Sequence, residues 1–370
     1  MSHTAIECSK CLLSTNDWSE LTFEEKGVCA ICHIYDDLYK RTVKRGQEAD
    51  NALKDLLHKV KTNKKQGEYD CLIGVSGGVD STYLAYLSKE WGLNPLILHI
   101  DNGWNSELAV MNIENVLNKV GLDLMTYVVN WPEIKDLQQA YIKANVVDLD
   151  IPTDMALMAM MYKTAAKYNI KYIITGHNTV TEGWLPPNFV HHKLDTMNIR
   201  NIHKLFGKIP LKNFPMVGVI RHWYYTKIKG LQFVAPLNWI DYNKNEVKQF
   251  LMDKLSWRDY GGKHYENIFT RFYQGYILIE KFGIDKRKSH YSTLICSGQL
   301  TKQEAQAEMQ KPAYNNEVFK TDYDFFIKKL DLTKEVFEAY IKQPEVPHKH
   351  YKSYMNIYDK LRKIKKLLIK

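Results

Sequence analysis

The chain has 370 residues, 45% hydrophobic and 25% charged, with 51 Lys and Arg against 42 Asp and Glu for a formal charge of +9. This is the mixture of a soluble globular protein with room for one large domain and one or two smaller ones, and no stretch approaches the apolar length of a membrane span. The positive balance suits RNA and a polyanionic nucleotide sugar alike, and selects neither.

Met1 to Lys10 has no apolar signal-peptide core, so a cytoplasmic protein is expected. The opening segment carries Cys8-x-x-Cys11 and then Cys29-x-x-Cys32, the spacing of a four-thiolate structural zinc site, with Gly27 placed for the second turn. A redox pair is expected beside a βαβ pattern, which this segment lacks. An iron–sulfur cluster uses the same ligands and stays open. His33 follows Cys32 and reads as a bystander. Residues 1–34 form this module, and 35–67 read as one long charged helix from Tyr35 to Lys65, with Leu53, Leu56, Leu57 and Val60 as its apolar stripe.

Asp70 to Ser81 reads D-C-L-I-G-V-S-G-G-V-D-S. Cys71 to Val75 is an apolar run of strand length, Ser76-Gly77-Gly78 is a break, and a helical period follows from Asp80. A strand, a glycine-rich turn and a helix N-terminus make an anion site. Glycines let phosphate oxygens approach the backbone, and Ser76 and Ser81 add hydroxyls. Asp80 beside phosphates calls for a cation between them, so it reads as a Mg²⁺ ligand. No lysine lies in the loop, so it is not a Walker loop. The string S-G-G-V-D-S resembles the pyrophosphate loop (PP-loop) of the ATP-pyrophosphatases, which split ATP to AMP and pyrophosphate and adenylylate a carbonyl oxygen.

Further along, Pro95 to Ile100, Leu124 to Val129 and Tyr172 to Thr175 read as strands, with helices at Leu108 to Val120 and Met155 to Tyr168. The alternation predicts an α/β fold, a doubly wound parallel sheet, over residues 68–258. Ligands of such sheets sit at the carboxyl ends of the strands. The Ser76 loop, Asp101 and Gly176-His177-Asn178 are therefore expected in one crevice, with Asp101 either touching a ribose or closing a D-N-G turn. Glu182, in T-V-T-E-G-W, is the acidic group placed to reach it.

Residues 259–370 read as a helical C-terminal region. After Gly261-Gly262, a helical period places Lys263, Asn267 and Arg271 on one face, where the two cations could hold a pyrophosphate or a substrate phosphate. Thr301 to Glu304 is a capping box. Lys360 to Lys370 reads as a solvated basic helix.

The double CxxC, S-G-G-V-D-S, the T-E-G after G-H-N, and G-G-K-H-Y-E-N-I-F-T-R-F-Y-Q running into K-F-G-I-D-K-R-K together resemble the N-acetyl sugar amidotransferases of surface-polysaccharide and flagellin-glycan biosynthesis. The resemblance implies ATP-dependent conversion of an acetamido group on a nucleotide-linked sugar to an acetamidino group. It implies ammonia as nucleophile, from a separate glutaminase, and a nucleotide sugar rather than nucleic acid as partner. Within it Ser76, Gly77, Gly78, Asp80, Ser81, Asp101, Gly176 and Asn178 would bind nucleotide, while Asp80, His177, Glu182, Lys263 and Arg271 would serve catalysis. The alternative is an RNA-thiolating enzyme with the same loop. Many of these need a catalytic cysteine, and outside the zinc set only Cys71, expected in a buried strand, and Cys296, expected alone, remain. A nucleotide-binding scaffold without turnover is a third reading.

Overall fold

The computed structural model describes residues 5–24, 26–62, 68–183, 185–262 and 265–356. Five strands form one parallel sheet in the order β3-β2-β1-β4-β5: β1 Cys71–Val75, β2 Pro95–Asp101, β3 Leu124–Val128, β4 Tyr172–Ile174 and β5 Gln232–Val234. Strand order reverses between β1 and β4, so the loops after these two strands part and leave a crevice.

The helices are α1 Ala30–Thr42, α2 Gly46–Thr62, α3 Val79–Glu90, α4 Glu107–Val120, α5 Trp131–Lys143, α6 Ile151–Lys167, α7 Thr196–Phe206, α8 Val219–Trp223 and α9 Lys244–Leu255. Then come α10 Ile268–Phe272, α11 Leu278–Phe282, α12 Lys286–Cys296, α13 Lys302–Met309, α14 Asn316–Lys329 and α15 Lys334–Lys342. Side chains alternate across β1. Cys71, Ile73 and Val75 face a core with Leu84 of α3, Ile113 of α4 and Leu251 of α9. Leu72 faces the opposite core with α5, α6 and a phenylalanine cluster of Phe269, Phe272, Phe326 and Phe337. The sheet is thus covered on both faces, as its apolar strands require.

The single long helix expected from Tyr35 to Lys65 is two. It breaks at Val43, whose side chain is buried, and the Lys44 N–H goes to the Asn238 carbonyl at 3.1 Å before Gly46 starts α2. The long-range bond replaces the helical one. The basic segment Lys360 to Lys370 lies outside the described residues. Among the described residues, no helix is long and apolar enough to cross a membrane.

Candidate active site

The loop after β1 has the features of an anion cradle. Gly77 takes φ +84°, and a Cβ there would stand 2.7 Å from the Ala109 carbonyl oxygen. Trp257 Nε1 (2.9 Å) and the Tyr260 hydroxyl both donate to the Gly77 carbonyl and hold the turn. Gly78 caps α3 without a side-chain acceptor, so the first-turn amides keep their donor capacity. The Ser76 and Ser81 hydroxyls lie 3.4 Å apart.

The loop after β4 closes on this one. A Cβ on Gly176 would stand 2.8 Å from the Asp80 carbonyl carbon and the Ser81 nitrogen, so only glycine permits the approach. Asn178 is fully buried and acts as a brace: its Nδ2 donates to Asp80 Oδ1 at 3.3 Å, and its Oδ1 accepts from Thr181 N at 2.9 Å. The Tyr242 hydroxyl donates to the same Asp80 oxygen, while Lys244 Nζ faces Oδ2 at 3.7 Å. Burial, then the Asp80 charge, push the Tyr242 phenol up, which keeps it a donor.

Ser76, Gly78, Asp80, Ser81, Gly176, His177 and Glu182 line a cleft of about 1110 Å³. A second cavity of about 700 Å³ opens beside it and shares His177, Glu182, Gly261, Gly262 and His290. That volume is of the size of small-molecule sites, roughly 300–1,000 Å³. At the shared wall His177 Nδ1 lies 3.2 Å from Glu182 Oε2. With Nδ1–H donating to the carboxylate, Nε2 is the ring nitrogen left for a further partner.

One of the expected site residues stands elsewhere, and another is already paired. Asp101 does not line the cleft; its Oδ1 accepts from Gly103 N at 2.8 Å and Asn105 Nδ2 at 3.3 Å and closes the D-N-G turn. The cationic face of Lys263, Asn267 and Arg271 does not form, because Asn267 is the N-cap of α10 and its side chain accepts from Thr270 N. Lys263 lies outside the described residues. Arg271 borders the second cavity but is forked onto Asp322, at 2.6 and 2.7 Å, with 13% and 4% of the two side chains exposed. It is an internal ion pair.

Sequence reasoning missed Lys244, Lys248 and Glu266 on the walls of the first cleft. Glu266 Oε1 sits against Gly78, giving the loop a second carboxylate besides Asp80. Lys248 pairs with Asp259 at 2.5 Å. The signal for Lys244 was present: Asn243 with Glu246 is a helix-start pattern, and Asn243 does cap α9.

The cysteines form the separate centre that the knuckles predict. Cys8, Cys11, Cys29 and Cys32 are buried with all four sulfurs within 4.8 Å of one another, and Sγ–Sγ approaches of 3.7 to 3.8 Å. A tetrahedron with Zn–S bonds of about 2.3 Å has edges of about 3.8 Å, so the donor set fits a metal. Cys71 is buried in β1 as expected. Cys296 is not alone: its sulfur lies 3.7 Å from that of Cys32. The module also braces the cleft. Tyr35 lies against Gly183, Leu12 N donates to Ser292 Oγ at 3.2 Å, and Lys302 Nζ donates to the Cys8 carbonyl at 2.6 Å.

Residues 266–365 match the C-terminal domain of the LPS biosynthesis protein WbpG-like family. An uncharacterized protein of Methanocaldococcus jannaschii, MJ1599, is 25% identical over 322 residues, covering 85% of this chain and 96% of its own. The cytoplasmic tRNA 2-thiolation protein 1 of Kluyveromyces lactis is 30% identical over 118 residues, 29% of this chain and 31% of its own. Among solved structures, the U34-tRNA thiolase NcsA from Methanococcus maripaludis with its [4Fe-4S] cluster is similar at 13% identity and a TM-score of 0.34, over 80% of this chain and 88% of that one. The S-G-G-V-D-S loop, which resembles a PP-loop, thus forms one side of the paired cavities, and the stretch that matches the WbpG-like C-terminal domain forms most of the other.

Proposed function

We propose that the protein is an ATP-dependent amidotransferase that converts an acetamido group of a nucleotide-linked sugar to an acetamidino group. The observation that carries this reading is the meeting of two cavities at His177 and Glu182, one lined by the PP-loop and the other walled largely by the WbpG-like domain. An amide carbonyl is a poor electrophile with a poor leaving group. Adenylylation of its oxygen, with pyrophosphate leaving, addresses both.

In this reading the Ser76–Ser81 loop, the α3 amides and Lys244 receive the charge that develops on the pyrophosphate. Asp80 and Glu266 would hold Mg²⁺, which when bound neutralises phosphate charge. The acceptor amide lies at the shared wall. There His177 Nε2 takes the proton from the attacking ammonia, and Glu182 stabilises the imidazolium through Nδ1–H. The displaced AMP leaves through the first cleft. Ammonia comes from a separate glutaminase, and the enzyme works in the cytoplasm.

The compact thiolate set favours a single ion, zinc, since a four-iron cluster puts each cysteine on a different corner of a cube. The likeness to a tRNA 2-thiolation protein supports a second reading, RNA thiolation. Among the described residues no cysteine lines either cavity, which weighs against sulfur transfer through this chain's own thiols.

The test is mass spectrometry of a panel of UDP-linked N-acetyl sugars incubated with the protein, Mg-ATP and ammonium. A product with one oxygen replaced by NH, formed with AMP and pyrophosphate, is expected. AMP formation only with tRNA and a sulfur donor would replace this reading with the second.

A further inference from the structure

The segment Asp285-Lys286-Arg287-Lys288-Ser289 opens α12, and the chemistry above gives it no role. Its first turn borders the second cavity through Lys286, Arg287 and Ser289. Asp285 is the N-cap and accepts from Arg287 N at 3.0 Å. The Arg287 guanidinium forks back onto Asp285 at 2.7 and 3.1 Å, and its Nη1 donates to the Lys311 carbonyl at 2.7 Å. This pair cancels the charge of the cap and fixes the turn.

What remains is one lysine and one buried hydroxyl. Lys286 makes no direct ion pair among the described residues, although its charge acts on the buried Asp148 and Asp150, and it adds to the positive end of the helix. Ser289 is only 2% exposed, yet its hydroxyl has no hydrogen-bond partner among the described residues. A buried hydroxyl without a partner is costly, and a ligand in the cavity that it lines would complete it. An anion with several acceptor oxygens answers both groups. His290, four residues after Lys286, is part of the wall shared with the first cleft. One helical turn rises about 5.4 Å, which leaves a sugar ring's width between an anion on the first turn and an amide at the shared wall.

We propose that the first turn of α12, through Lys286 and the Ser289 hydroxyl, binds the diphosphate of a nucleoside-diphosphate acceptor in the second cavity. The identity of the acceptor rests on the amidotransferase reading; the anion site stands on the geometry. Pyrophosphate released from ATP has the same chemistry, and the experiment separates the two sources.

Full-length protein and its Lys286→Ala and Ser289→Ala variants are titrated calorimetrically with UDP, inorganic pyrophosphate and α,β-methylene ATP. Expected are a rise in the UDP dissociation constant of about tenfold for Lys286→Ala and about threefold for Ser289→Ala, the loss of one charge-assisted and one neutral hydrogen bond. Binding of the ATP analogue stays unchanged. Ser289→Ala should melt at or above the wild-type temperature, because it removes an orphaned hydroxyl, so misfolding would not explain its weaker binding. Unchanged UDP affinity in both variants overturns the proposal. So does weakened pyrophosphate or ATP-analogue binding with UDP unaffected, which would assign the turn to ATP. Amidine formation is scored separately. No amidine, with the UDP effect intact, removes the reaction and keeps the site. Amidine formation with an unchanged acceptor KM in Lys286→Ala does the reverse.

Discussion

The Tyr242 hydroxyl donates to Asp80 Oδ1, joining the segment after β5 to the first turn of α3 beside the first cleft. Asn178 meets the same oxygen, so one carboxylate ties three parts of the chain and points its other oxygen toward Lys244. Tyr242→Phe keeps the ring packing and removes the donor. A loss of about 1–2 kcal/mol in stability is expected from one buried bond to a charged acceptor. A several-fold rise in KM for ATP should follow, with denaturant melts and AMP release as the readouts. Unchanged KM with lowered stability would make the contact purely structural.

Glu182 is expected to act through His177. Glu182→Gln preserves shape but cannot stabilise an imidazolium, so AMP formation in the presence of acceptor and ammonium should fall about 10²-fold, with ATP affinity little changed. The His177→Gln, Glu182→Gln double variant should be hardly slower than His177→Gln alone. Additive losses would show that the two groups work separately.

Arg271 is expected to behave as a structural cation. Arg271→Ala leaves Asp322 buried with only the Tyr314 hydroxyl and should cost about 3–5 kcal/mol, the penalty of halving a buried pair. Arg271→Met with Asp322→Leu should recover much of that loss. If the single variant melted normally but bound acceptor poorly, Arg271 would be a ligand group after all.

One metal ion per chain is expected from elemental analysis, lost in Cys8→Ser or after chelation. Hydrogen exchange should then rise in residues 5–24, in α1 and in α12, while β1, β2 and β4 keep their protection. Uniform exposure of the whole chain would mean that the module folds as one unit with the sheet.

The parts of the fold that could be read from the sequence are those set by neighbours in the chain. Cys71 to Val75 followed by Ser-Gly-Gly is a strand and a turn by local rules, and two CxxC pairs hold their sulfurs together whatever surrounds them. The stripe of Lys263, Asn267 and Arg271 failed because a helical period presupposes a helix, and asparagine prefers to begin one. Asp101 satisfied its carboxylate on the turn beside it. Arg271 found Asp322 from α14, four helices later, and Cys296 meets Cys32 across 264 positions. No pattern within a window carries such pairings. Lys244 and Glu266 reached the cleft the same way.

α12 has one end at the four-cysteine centre, through Cys296 and Cys32, and the other in the wall of the second cavity, through Lys286 and Arg287, with His290 between them on the wall shared by both cavities. A chain trimmed to start at β1 would therefore keep every residue of the S-G-G-V-D-S loop and still be a poor miniature of the whole protein. It would keep the loop with no footing beneath the wall that the two cavities share. The cysteine-rich opening, far from the cleft in sequence, is part of its foundation.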